Sequence, residues 1–91
     1  MNQIWKYPLE LREAQVVIMP AGAELLTVQV QNGTPCLWAK VDPRQEKVKR
    51  VIVMAGTGHE DEFGGEGDYI ATIQMDLVWH WFDGGLDGRL R

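Results

Sequence analysis

A period of two dominates the apolar pattern, and it decides what the chain can become. A strand shows its side chains alternately to opposite faces, so alternation is the signature of a half-buried sheet. Glu24–Gln31 alternates, with Leu26, Val28 and Val30 on one face and Leu25, Thr27, Gln29 and Gln31 on the other. Asn32-Gly33 follows, the pair that accepts the positive φ angles of a type I′ turn. Pro35–Asp42 returns with Leu37, Ala39 and Val41 on one face and Cys36, Trp38 and Lys40 on the other. These residues predict a hairpin.

The remaining strands are read from short apolar and β-branched runs bounded by turn residues, Val51, Ile52 and Val53 being consecutive as in a strand covered on both faces. Ile4–Tyr7 is short and closed by Pro8, and Gln15–Met19 is β-branched and ends at Pro20-Ala21-Gly22. Glu46–Ala55 follows the polar turn Asp42-Pro43-Arg44-Gln45. Tyr69–Met75 and Leu77–Phe82 come last, joined around Asp76, with Trp79 and Trp81 on one face and His80 on the other. Leu9–Ala14 has room for one helical turn, and no helix of ten residues fits anywhere. The expected class is all-β, a small antiparallel sandwich or barrel of about six to seven strands. At 91 residues this is one domain. It is expected to span residues 1–83, with a flexible tail over 84–91.

Composition narrows the function. Nine Lys and Arg against thirteen Asp and Glu give a net charge of −4. A nucleic-acid binder needs a basic surface to release counterions, so nucleic acid is not expected as a partner. No apolar run approaches a membrane span, and the first residues lack the pattern of a signal peptide, so neither a membrane nor export is expected. A single cysteine, Cys36, excludes an internal disulfide and fits a reducing cytoplasm. There is no serine, and no acid–base or nucleophile constellation stands out, so the chain reads as a non-enzyme without a cofactor. His59, Glu60, Asp61 and Glu62 crowd one loop, but successive residues do not converge as metal ligands, and no metal site is expected. The small core and four tryptophans favour a homo-oligomer, most simply a two-fold dimer joined by sheet edges or apolar faces.

Two features suggest a ligand. Gly56–Asp68 is a long loop opening with Gly56-Thr57-Gly58-His59, where glycines let a backbone offer N–H groups to an anion. Lys40, Arg44, Lys47, Lys49 and Arg50 hold five of the nine basic residues. The plainer readings are a glycine-rich turn and a solvated hairpin with internal charge pairs.

The segments Ile4-Trp5-Lys6-Tyr7-Pro8, Met19-Pro20-Ala21-Gly22-Ala23, Gln31 to Pro43 with its Pro35-Cys36-Leu37-Trp38-Ala39 core, and Gly56-Thr57-Gly58-His59 resemble a family of small, largely uncharacterised proteins of tailed bacteriophages and prophages. The resemblance implies a phage accessory protein in the cytoplasm of an infected bacterium. Small phage proteins of this kind include oligomeric sponges that sequester nucleotide-derived immune signals, an anti-defence role. On that analogy the ligand is a nucleotide-like small molecule. Gly56, Thr57, Gly58 and His59 would face its charge, Arg50 would hold phosphate oxygens, and Trp5, Tyr7 or Trp38 would stack on the base. The alternative is a protein-interaction or virion-associated module without a small-molecule ligand. A cavity lined by Trp, His and Arg favours the first; an apolar patch without convergent polar groups favours the second.

Overall fold

The computed structural model describes residues 1–61, 63 and 66–87. Among them are seven strands: β1 (Gln3–Pro8), β2 (Ala14–Pro20), β3 (Glu24–Gln31), β4 (Thr34–Val41), β5 (Lys47–Gly56), β6 (Asp68–Gln74) and β7 (Val78–Leu86). They form two antiparallel sheets, β1-β4-β3 and β2-β5-β7-β6. The fold is a small β-sandwich, as the period of two predicts. The Leu9–Ala14 connection holds no helical turn; bends cover Leu11–Glu13 and β2 begins at Ala14. No helix among the described residues is long and apolar enough to cross a membrane.

The core lies between the sheets. Leu37, Ala39 and Val41 of β4 meet Met19, Ile52, Met54 and Trp81 of the larger sheet, all at most 5% exposed. Burying a large apolar side chain contributes about 1.5–3 kcal/mol, so this cluster holds the two layers together. Asn32 (φ 51°) and Gly33 (φ 80°) both take positive φ between Gln31 and Thr34, the type I′ hairpin expected from the sequence.

Two details depart from simple alternation. A bulge between Leu25 and Thr27 shifts the register of β3 against β4. Leu25 therefore packs against the core together with Val28, while Leu26 and Val30 remain exposed. Leu26 is thereby removed from the expected common face with Val28 and Val30, because an extra residue reverses the side-chain direction before Val28. A second bulge lies between Val51 and Ile52, and β7 runs beyond Asp83: Gly85 pairs with Val51 and Leu86 with Arg50. The expected tail thus begins too early. Gly84–Leu86 are strand, Asp87 N–H donates to the Lys49 carbonyl, and residues 88–91 lie outside the described residues.

Candidate functional site

The residues expected to bind a ligand fall into separate places. Trp5 and Tyr7 sit opposite Ala39 and Leu37 and face the core. Trp5 is half-buried, its indole N–H bonded to Gln3 Oε1 at 2.8 Å and Lys47 Nζ 5.0 Å above its ring. Burial raises the Tyr7 phenol above its ordinary pKa. Trp38 pairs with Lys6, the neighbour of both, and lies on the outer face, with Lys6 Nζ 5.8 Å from its ring. The same three-stranded sheet thus shows Trp5 and Tyr7 to one side and Trp38 to the other.

Arg50 is already engaged. Its Nε and Nη2 donate to the two Asp83 carboxylate oxygens at 2.9 and 2.6 Å, and Nη1 donates to the Ala23 carbonyl at 3.2 Å. Burial by itself would raise the Asp83 carboxyl. The bonds from Arg50, the Gly85 N–H and the Arg50 charge outweigh it and hold the group below its ordinary value. A fork already closed on a carboxylate has no free edge for phosphate. Arg50 also stands six positions before Gly56 on one strand, roughly 20 Å away.

The glycine loop is likewise occupied from within. Gly56 N–H donates to Asp61 Oδ2 at 3.1 Å, Thr57 N–H to the Val78 carbonyl and His59 N–H to the Gly56 carbonyl. The chain's own carboxylate sits where an anion was expected. His59 turns its ring over Gly56 and meets Trp79 edge-on, centroids 5.9 Å apart at 76°. His59 is thus turned to Trp79 and Asp61 to Gly56, and Glu62 lies outside the described residues. The basic hairpin is mostly paired too. Lys40 faces Glu24 at 3.6 Å, Arg44 faces Asp42 at 3.1 Å and Arg50 faces Asp83. Arg44 holds the Asp42 carboxyl far below its usual range.

What the fold does assemble near His59 is apolar. Gly56 pairs with Trp79, so the loop after β5 and the start of β7 share one end of the sandwich. The β1–β2 connection and the β6–β7 turn reach the same end. Leu11, Met75, Asp76, Leu77 and Trp79 line an open cleft of about 450 Å³ there. Leu11 and Leu77 are half exposed, while Met75 and Trp79 rest against the core. The turn is fixed by the Met75 N–H donating to the Leu77 carbonyl at 2.8 Å. The sequence placed Trp79 beside Trp81 on one face, but nothing in it links Leu11 to Leu77, 66 positions later.

A polar chain crosses the larger sheet nearby. Tyr69 hydroxyl lies 2.7 Å from Thr72 Oγ1, which lies 2.9 Å from His80 Nδ1, and His80 Nε2 lies 2.6 Å from Thr57 Oγ1. The Thr57–His80 distance is that of a nucleophile and its base. His80 is backed at Nδ1, however, by the Thr72 hydroxyl rather than by a carboxylate that would stabilise an imidazolium. It serves to tie the end of β5 to β7 and β6.

No curated protein and no solved structure matches the sequence. A match to the family described as Domain of unknown function (DUF7352) spans residues 1–88, nearly the whole chain, and the protein belongs to that family.

Proposed function

We propose that the protein is a non-catalytic interaction module that receives an apolar side chain of a protein partner in the cleft of Leu11, Met75, Leu77 and Trp79. One observation carries this reading: a half-buried tryptophan stands open to solvent in a cleft lined by Leu11, Met75, Asp76, Leu77 and Trp79, apolar but for one carboxylate and without a cation among the described residues. Aromatic anchors in such clefts supply most of the energy of small interfaces. The setting, taken from the resemblance of the sequence, is a phage accessory protein in the cytoplasm of an infected bacterium. A nucleotide-derived ligand is the rival reading. The closed Arg50–Asp83 pair and the internally bonded glycine loop count against it.

The test uses protein recovered from infected cells. Parent protein and a Leu11→Glu/Leu77→Glu variant are compared as baits, and both are weighed by native mass spectrometry. Both positions are about half exposed, so the variant keeps its core. A bound protein that the parent retains and the variant loses is the expected result. A nucleotide-sized adduct on the parent, with no protein dependent on the cleft, refutes the proposal.

A further inference from the structure

We propose that β2 is a self-pairing edge through which two copies of the chain join their larger sheets about a two-fold axis at Val16. The four sheet edges differ, and β2 lies apart from the cleft at Trp79. Exposed edges invite pairing, and proteins blunt them with charge, proline or bulges. β1 carries Lys6 and ends at Pro8. β3 carries Glu24 and the Leu25/Thr27 bulge, and β6 carries Asp68 and a bulge between Tyr69 and Ala71. β2 reads Ala-Gln-Val-Val-Ile-Met-Pro, with no charge, no bulge and a proline only at its last position.

The hydrogen bonds of β2 fix which residues face outward. The Ala21 N–H donates to the Glu46 carbonyl, and the Glu13 carbonyl accepts from the Met54 N–H. Both flanking odd positions therefore bond toward β5. The register between them is unbroken, so Ala14, Val16, Ile18 and Pro20 turn their main-chain groups to the open edge. Proline has no N–H to give. The outward set that can both donate and accept is thus Ala14, Val16 and Ile18, which is symmetric about Val16.

A second copy laid antiparallel with Val16 opposite Val16 places Ala14 opposite Ile18 on both sides. Each of the three residues then exchanges both main-chain bonds, and Pro20 stays outside the ladder. Val16 and Ile18 are 42% and 56% exposed, and this register sets Val16 beside Val16 and Ile18 beside Ala14 of the second copy. The edge is also accessible. A groove of about 480 Å³ runs beside it, lined by Tyr7, Pro8, Glu10, Arg12 and the residues from Gln15 to Ile18. A charge-free, unbulged strand whose outward set is centred on Val16, with Pro20 closing one end, can meet a second copy in a single symmetric register, which gives the isologous contact of a two-fold dimer.

The experiment compares the full chain with Val16→Pro. The Val16 N–H points to the open edge, so proline there breaks no bond inside the subunit. Sedimentation at tens of micromolar is expected to show twice 10.3 kDa for the parent. Val16→Pro should weaken self-association roughly ten- to a hundredfold, from the bonds lost on both copies, while keeping the parent's far-ultraviolet spectrum. Val16→Lys serves the same purpose should the proline variant not fold. A nitroxide on residue 16 of a Val16→Cys/Cys36→Ala chain should show strong spin–spin broadening, since paired Cα atoms stand about 5.5 Å apart. A monomeric parent, a dimer unaffected by both folded edge variants, or a dimer without broadening at residue 16 overturns the proposal.

Discussion

Replacing Asp83 by Asn removes a charge from the shortest ion pair among the described residues and changes the side-chain volume very little. Asp83 and Arg50 side chains are only 15% and 16% exposed, and Arg50 closes on both carboxylate oxygens while its third nitrogen reaches Ala23. An asparagine amide keeps one acceptor but turns an NH₂ donor toward an Arg50 donor. The guanidinium then remains in place with a poor partner. Breaking a fully buried pair costs about 3–5 kcal/mol, and some solvent reaches this one, so about 2–4 kcal/mol is expected at pH 7. For a domain of this length that lowers Tm by roughly 10–25 °C. The pH dependence gives an independent check. The Asp83 carboxyl is held below its ordinary value of 3.8, so its contribution is complete above that value and is lost as pH falls through the folded pKa. The difference between parent and Asp83→Asn should therefore be full at pH 6–7 and shrink progressively below about pH 4. Thermal unfolding followed by circular dichroism across this range measures both effects. A Tm change under about 3 °C at pH 7, or a difference that does not narrow in acid, would show that the pair does not stabilise the fold as argued.

Three further outcomes follow from the geometry. Gly67 has φ 101°, and a Cβ there would run into the Asp83 carbonyl, so Gly67→Ala should destabilise by about 2 kcal/mol or more in urea unfolding. Gly33 also has positive φ but faces open space, so Gly33→Val should cost only the conformational strain, about 1–2 kcal/mol, and an unchanged unfolding midpoint would contradict the type I′ turn. Trp81 is fully buried whereas Trp79 is not. Trp81→Ala should cost about 3–5 kcal/mol, while Trp79→Ala should cost distinctly less and abolish partner capture; equal losses of stability would remove the distinction between core and cleft.

The strands and the central hairpin were legible because their signals are local. Alternation reports one strand at a time, and Asn32-Gly33 carries its own φ preferences. The core face of β4 followed directly: Leu37, Ala39 and Val41 are all buried. The candidate site was not legible, because ligand geometry depends on which residues stand opposite one another. Trp5 and Tyr7 share a face by alternation, but whether Trp38 joins them depends on register, and pairing Lys6 with Trp38 sends Trp38 to the opposite face. Arg50 looked like a free phosphate fork, yet its partner, Asp83, arrives from 33 residues away through β7. One inserted residue in β3 exchanged Leu26 for Leu25 in the core without altering the composition of either strand.

By itself, then, the sequence determined the elements: where strands run, where the hairpin turns, and that no long helix competes. Those outcomes depend on φ preferences and on side chains one or two positions apart. Register, bulges and the closing of charges on one another were decided by the tertiary structure. They are set by burial and hydrogen bonding summed over both sheets at once, where a shift of one residue reverses every side chain that follows. The apolar cleft at Trp79 and the open, self-complementary edge at Val16 belong to this second group. Leu11 and Leu77 line one cleft, and Val16 turns its main chain outward, only because β5 and β7 have already fixed the positions of their neighbours.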